Sequence, residues 1–223
     1  MELHLRFLTG HRDAGKVVHI TRFLARLRSC RSARPIFYGE AEVSLLFKSE
    51  IMTEAEVNRS LARITHEIIE RDRGAQNVVL IGIRRRGLPL ALRIAQNAAR
   101  FEGAEPPVGF IDVTLYRDDL TETVDLPDAG DTHIPCDIEG KCVVLVDDVI
   151  FTGRTARAAI EAVFAHGRPA LIQLAVLVDR GHRELPIRPD FVGKNIPTAK
   201  SELIAVEVPE IDGKPYSVKL YER

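Results

Sequence analysis

Tryptophan is absent from this chain, and cysteine occurs only three times, as Cys30, Cys136 and Cys142. These positions form no CxxC pair and no zinc-site spacing, so they read as reduced thiols without a metal framework. Long hydrophobic runs are also missing. The longest clean apolar stretches, residues 142–146 and 78–81, fall far short of the ~20 residues that a membrane helix needs. The first residues, Met1-Glu2-Leu3-His4-Leu5-Arg6, lack the apolar core of a secretory signal. The expectation is a cytoplasmic protein with no membrane partner.

An excess of either charge sign is lacking overall, since the net charge is −1 over 223 residues. The distribution is uneven, however: residues 1–39 hold eight Lys/Arg against two Asp/Glu, and the remainder holds 23 against 30. A basic arm precedes a mildly acidic body. The length suits one α/β domain.

Hydrophobic periodicity divides the body into alternating elements. Thr53 and Glu56 form a capping box, and Val57, Leu61, Ile64 and Ile68 follow at helical spacing until Gly74. Residues 77–83 predict a buried strand, 84–87 a basic loop, and 88–101 a helix. Residues 108–116 predict a second strand, 141–146 a third, 154–166 a helix, and 170–178 a fourth strand. Strands apolar on both faces and separated by helices imply a parallel central sheet with helices on both faces. Two stretches break the rhythm. Residues 117–140 are long, acidic and poor in apolar residues, as expected of a lid loop. Residues 179–200, rich in Arg, Pro and Gly, predict no long regular element and should cover the carboxyl edge of the sheet.

The strongest chemical signal is Val143-Val144-Leu145-Val146-Asp147-Asp148-Val149-Ile150-Phe151-Thr152-Gly153-Arg154-Thr155. It reads as a buried strand ending in two carboxylates, a short loop, and a helix start. Free backbone N–H groups, the helix dipole and the hydroxyls of Thr152 and Thr155 together suit a phosphate monoester. Asp147 and Asp148 would then stand where a sugar's vicinal hydroxyls can be held. Simple helix capping accounts for one carboxylate but not for two adjacent ones. The segment lacks the Gly-Lys-Ser/Thr ending of a Walker A loop, and the chain has no GxGxxG.

That segment resembles the 5-phosphoribosyl-1-diphosphate (PRPP) motif of type I phosphoribosyltransferases. From about Leu46 onward the chain also resembles the PyrR family, through Thr114-Leu115-Tyr116-Arg117-Asp118-Asp119-Leu120, the stretch from Gln173 to Ile187 with its Asp179-Arg180-Gly181-His182-Arg183, and Val192-Gly193-Lys194-Asn195-Ile196-Pro197-Thr198. The resemblance implies a type I phosphoribosyltransferase fold with a small hood and a flexible lid. It implies conversion of uracil and PRPP to UMP and diphosphate, and UMP- or UTP-dependent binding of pyrimidine-gene leader mRNA that attenuates transcription. It implies a homo-oligomer, a dimer or larger. Thr152 to Thr155 would bind the 5-phosphate, and Asp147 and Asp148 the ribose hydroxyls. Arg84, Arg85, Arg86 and Gly87 match the diphosphate loop, although the family usually has Thr where Arg85 stands. Arg86 and Arg117 would offset leaving-group charge, Arg117 lying at the start of the lid. Asp179, Arg180 and Lys194 belong to the base hood. Mg²⁺ would be bound mainly through PRPP, with no metal site built from protein side chains.

Arg59, Arg63 and His66 recur at i, i+4 and i+7 opposite the apolar stripe of the first helix. Together with His182, Arg183, Arg188 and Lys194 they form either an RNA-binding face or a solvated surface. Two other functions stay open: an RNA-binding regulator with little transferase activity, and a purine-salvage transferase. Residues 1–45 lie outside the resemblance. They read as a nucleic-acid tether or as a segment absent from the mature protein, with residues 46–223 forming the phosphoribosyltransferase domain.

Overall fold

A computed structural model describes residues 45–113 and 132–223. The apolar run Val-Val-Leu-Ile-Gly-Ile forms β2 (Val78–Ile83), buried at every position. It lies inside a five-stranded parallel sheet with β3 (Val108–Ile111), β4 (Cys142–Ile150), β5 (Leu171–Asp179) and β6 (Phe191–Asn195), in the order β3-β2-β4-β5-β6. Alternate residues of each strand face opposite layers. Leu80, Val144 and Val146 pack with Val57, Leu61 and Ile64 of α1 (Glu54–Asp72) and with Leu90 and Ile94 of α2 (Gly87–Glu102). Ile81, Val143 and Leu145 pack with Ala158, Ala159 and Ala162 of α3 (Arg154–Phe164) on the other side. Small alanines let α3 approach the sheet closely. Both faces are therefore covered, as the uninterrupted apolar strands require.

The capping box at Thr53 forms, with the Thr53 backbone N–H and hydroxyl both donating to Glu56 Oε2, at 2.8 and 2.9 Å. Three elements differ from the sequence expectation. β4 does not stop at Val146 but runs on through both carboxylates to Ile150, because its pairing with β5 continues from Asp147 opposite Val176 to Ile150 opposite Asp179. β3 ends at Ile111, and residues 114–131, which hold most of the expected lid, lie outside the described residues. Within 179–200, the short β6 adds a fifth strand, anchored by buried Phe191.

A separate antiparallel sheet, unanticipated from the sequence, joins β1 (Leu46–Met52), β8 (Ser217–Glu222) and β7 (Glu202–Glu207). The one-turn helix α4 (Pro209–Asp212) lies in the connection from β7 to β8. Val206, Val208 and Val218 tie this sheet into the α1–α2 core layer. Among the described residues no helix is long and apolar enough to cross a membrane.

Candidate active site

The carboxyl end of β4 carries the two adjacent acids. Asp147 Oδ1 accepts the Asp148 backbone N–H and Asp148 Oδ1 accepts that of Val149, each at 2.9 Å. These local bonds hold both carboxylates in place before any ligand arrives. Burial pushes the Asp148 pKa up, outweighing the Asp147 hydrogen bond, the Arg86 charge and the backbone N–H groups that pull it down. A buried acid with a raised pKa at a strand end is a feature of functional sites.

After Ile150 the chain turns through Phe151 and Thr152 to Gly153, whose φ of +94° starts α3 in the left-handed region that favours glycine. The N-cap residue of α3 is Gly153, which has no side chain to cap the helix. Thr152 Oγ1 accepts the Arg154 backbone N–H at 3.3 Å. A cavity of about 300 Å³ opens here, lined by Asp147, Val149, Ile150, Phe151, Thr152, Gly153, Arg154, Thr155 and Glu184 among others. A helix amino terminus with a glycine N-cap and two threonine hydroxyls has the donors that suit an anion.

The basic loop 84–87 arrives beside this cradle for a steric reason. Any Cβ at Gly87 would run into the Val146 carbonyl oxygen, so only glycine lets the start of α2 lie against β4. Arg84 is tied to β3, its backbone N–H donating to Ile111 O at 2.9 Å and its side chain pairing with Asp112 at 3.3 Å. Arg85 is exposed, and its peptide with Arg84 is cis. Arg86, at the N-cap of α2, donates to Asp212 Oδ1 at 3.0 Å while its charge acts on Asp148. Arg117 lies outside the described residues.

The segment after β5 braces the loop between β4 and α3. Arg183 donates from Nη1 to Phe151 O at 2.8 Å, from Nε to Ile187 O at 2.9 Å, and from Nη2 to Asp179 Oδ2 at 2.6 Å. Glu184 and Leu185 donate backbone N–H groups to Thr152 O. The Arg180 guanidinium stacks 4.1 Å from the Phe151 ring centroid and donates to Thr198 Oγ1, Ala199 O and Glu202 O. His182 Nε2 lies 2.6 Å from Thr198 O, and its ring meets Phe151 edge-on. Asp179, Arg180, His182 and Arg183 are therefore all engaged inside the hood segment and hold Phe151 against it.

Lys194 is not with them. Its Nζ donates to Ile51 O at 3.0 Å, and it lines a cleft of about 410 Å³ with Met52, Glu56, Arg59, Ser60, Arg63 and Gly193. In this second place Arg63 donates from Nη2 to Val192 O and Gly193 O, at 3.0 and 2.6 Å, covering the open edge of β6. Further along α1, His66 stacks on Phe101 with 4.0 Å between ring centroids, and Arg71 pairs with Asp190 at 3.1 Å. Arg59 and Arg188 are exposed and make no hydrogen bond or ion pair among the described residues. The structure thus brings Arg59, Arg63 and Lys194 into one basic cleft, and the Arg71–Asp190 pair brings the segment bearing Arg188 to the same helix. Arg71 and Asp212 were missed by the sequence reading, because each acquires its partner only across more than 100 residues.

Two acids at a strand end, an uncapped helix start and a basic loop at the neighbouring strand define a phosphoribosyltransferase domain, and the phosphoribosyl transferase domain family matches residues 49–211. Among solved structures, the hypoxanthine phosphoribosyltransferase of Trypanosoma cruzi superposes with a TM-score of 0.61 at 20% identity, covering 79% of this chain and 97% of that one. A hypoxanthine phosphoribosyltransferase from Staphylococcus aureus gives 0.58 at 18% identity, covering 78% and 92%. At these identities the likeness is one of fold. Much nearer in sequence is the bifunctional protein PyrR of Thermus thermophilus, 58% identical over 177 residues, which are 79% of this chain and 97% of the relative. The PyrR of Clostridium novyi is 56% identical over 79% of this chain and 99% of its own length. The chain belongs to the PyrR family.

Proposed function

We propose that this protein transfers the phosphoribosyl group of PRPP to uracil, releasing UMP and diphosphate, and that it binds the leader mRNA of pyrimidine genes in response to UMP or UTP, attenuating their transcription. The observation that carries the transferase reading is the Gly87–Val146 approach, which sets the 84–87 loop beside the uncapped α3 start and the Asp147–Asp148 pair.

In the reaction the bond from C1 of the ribose to the diphosphate oxygen breaks, and uracil N1 forms the new bond to C1. The N1 proton leaves to diphosphate or solvent. Positive charge grows on the ribose and negative charge on the leaving group. Asp147 and Asp148 hold the ribose hydroxyls and stand near the developing cation, and Arg86 faces the diphosphate. Fixed charges that need no reorganisation act most strongly in such a buried site. Thr152, Gly153, Arg154 and Thr155 hold the 5-phosphate, and Arg183 keeps that loop in shape. Residues 117–140 supply the lid, which excludes water from PRPP.

Mg²⁺ would be held mainly through PRPP oxygens, the hard donors it prefers, with Asp147 and Asp148 left to the ribose hydroxyls. Among the described residues no group of three or more His, Cys, Asp or Glu could hold a metal ion. When bound, it neutralises diphosphate charge.

RNA is met by the cleft of Arg59, Arg63 and Lys194 with His66 and Arg188 nearby, a mixture of phosphate-seeking cations and a ring for unpaired bases. Residues 46–223 carry both activities as one domain, which works in the cytoplasm as a homo-oligomer. Residues 1–45 are dispensable for UMP synthesis. The test is a panel of bases with labelled PRPP and Mg²⁺. UMP should form from uracil, with no nucleotide from hypoxanthine or adenine. Purine nucleotide formation, or no product with any base, overturns the reading.

A further inference from the structure

Asp212 stands at the end of α4, in the connection between β7 and β8 of the antiparallel sheet. Its two oxygens do different things. Oδ2 accepts the Val208 backbone N–H at 2.8 Å, which fixes the carboxylate to its own turn. Oδ1 accepts Arg86 Nη2 at 3.0 Å, across 126 residues of sequence. The pair is sheltered, with the Asp212 side chain 22% exposed and that of Arg86 37%. The contact engages one nitrogen only. Arg86 Nε is buried with no hydrogen-bond partner, an orphan donor in a loop beside an anion cradle.

We propose that Asp212 is a positioning residue for the leaving diphosphate: it pins Arg86 by Nη2 and leaves Nη1 to the ligand. The proposal rests on reading residues 84–87 as the diphosphate loop. A long, flexible side chain loses rotamer freedom when it grips a ligand, and that loss weakens binding. An arginine already held by a fixed carboxylate has lost it beforehand. Asp212 also offsets some of Arg86's charge, which opposes diphosphate binding. The geometry favours orientation over competition, because the Val208 bond keeps Asp212 from following Arg86 and the monodentate contact leaves Nη1 unblocked. The antiparallel sheet thereby reaches into the active site of the parallel one.

The experiment uses the full chain and four variants: Arg86→Ala, Asp212→Asn, Asp212→Glu and the double variant of the first two. Asparagine keeps an oxygen for the Val208 N–H but removes the charge that holds Arg86. Calorimetry measures affinity for Mg²⁺-diphosphate and, separately, for UMP, and steady-state kinetics gives the KM for PRPP. The expected result is a loss on the order of tenfold in diphosphate affinity for Asp212→Asn, with a matching rise in the KM for PRPP and UMP affinity unchanged. In the Arg86→Ala background the Asp212 change should add nothing, since its effect passes through Arg86. Asp212→Glu, which restores the charge, should recover part of the loss.

If Arg86→Ala weakens diphosphate binding and Asp212→Asn does not, the positioning role is overturned while the diphosphate loop stands. If Arg86→Ala has no effect on diphosphate, the loop assignment fails and this proposal with it. Tighter diphosphate binding in Asp212→Asn would show competition, and equal losses for UMP and diphosphate would show a merely structural acid. Either result overturns the proposal.

Discussion

Replacing Asp148 by Asn should make the protein more stable and a much worse enzyme. Asparagine has nearly the same shape, and its amide oxygen can still accept the Val149 backbone N–H now bonded to Asp148 Oδ1 at 2.9 Å. What disappears is a negative charge held out of water. Burial raises the Asp148 pKa above its ordinary 3.8, against the opposing pull of Asp147, Arg86 and the backbone N–H groups. Between the unfolded and folded pKa values the folded state therefore binds the extra proton. The stability so gained is complete below pH 3.8 and is lost as pH rises through the folded value. At neutral pH the charged side chain is consequently a net cost, which the amide does not incur. Relief of this kind is worth about 1 kcal/mol, or a rise in Tm of about 2–4 °C for a domain of this size. Turnover should move the other way, by about 10²–10³-fold, the usual loss when one fixed electrostatic contact to the transition state is removed. Thermal melts at about pH 8 and about pH 4.5, paired with steady-state UMP synthesis, check both halves. The Tm gain should shrink as pH is lowered, because wild-type Asp148 takes up its own proton with falling pH. A variant that melts below wild type at the higher pH, or turns over within a few-fold of it, would refute the reasoning.

Three further outcomes follow from other parts of the molecule. Gly87→Ala drives a methyl group into the Val146 carbonyl, backbone against backbone, so it should cost about 1–3 kcal/mol in denaturant melts and raise the KM for PRPP; near-native values for both would show that the loop has room to move. Arg59→Glu with Arg188→Glu should weaken leader-RNA binding and leave UMP synthesis close to wild type, since neither side chain holds an internal bond among the described residues, whereas Arg63→Glu should also disturb the β6 edge that Arg63 covers. Glu207 is held at a pKa of about 2 by Lys219, then Ser217 and Lys214. Its contribution is present above the ordinary carboxylate value and lost as pH falls through about 2. Glu207→Gln should therefore cost about 1 kcal/mol near neutral pH, reduced by the solvent around its lysine partners, and the difference from wild type should narrow in acid.

The shape of the candidate cradle was legible in the sequence because all its parts are contiguous. A strand, two acids, a turn with Gly153 and a helix start lie within residues 143–155, and local backbone geometry alone sets their order in space. The same holds for α1 and its capping box, where Thr53 and Glu56 are three residues apart. The alternating apolar runs likewise required a parallel sheet covered on both faces, and the structure has one. Register and long-range pairing were a different matter. Whether β4 stops at Val146 or continues to Ile150 depends on β5 offering Val176 and Val178 as partners, which no local pattern in residues 141–150 contains. The polarity of Arg183 and Lys194 is identical in sequence, yet one is spent inside the hood and the other lies with Arg59 on another element. Only tertiary structure could separate them, because a hydrogen-bond partner is chosen by proximity in space, and a charged side chain carries no mark of what it will meet. Asp212 shows the limit most sharply: a single acid in an acidic stretch, it acquires meaning only when the antiparallel sheet folds its turn against Arg86, 126 residues earlier in the chain.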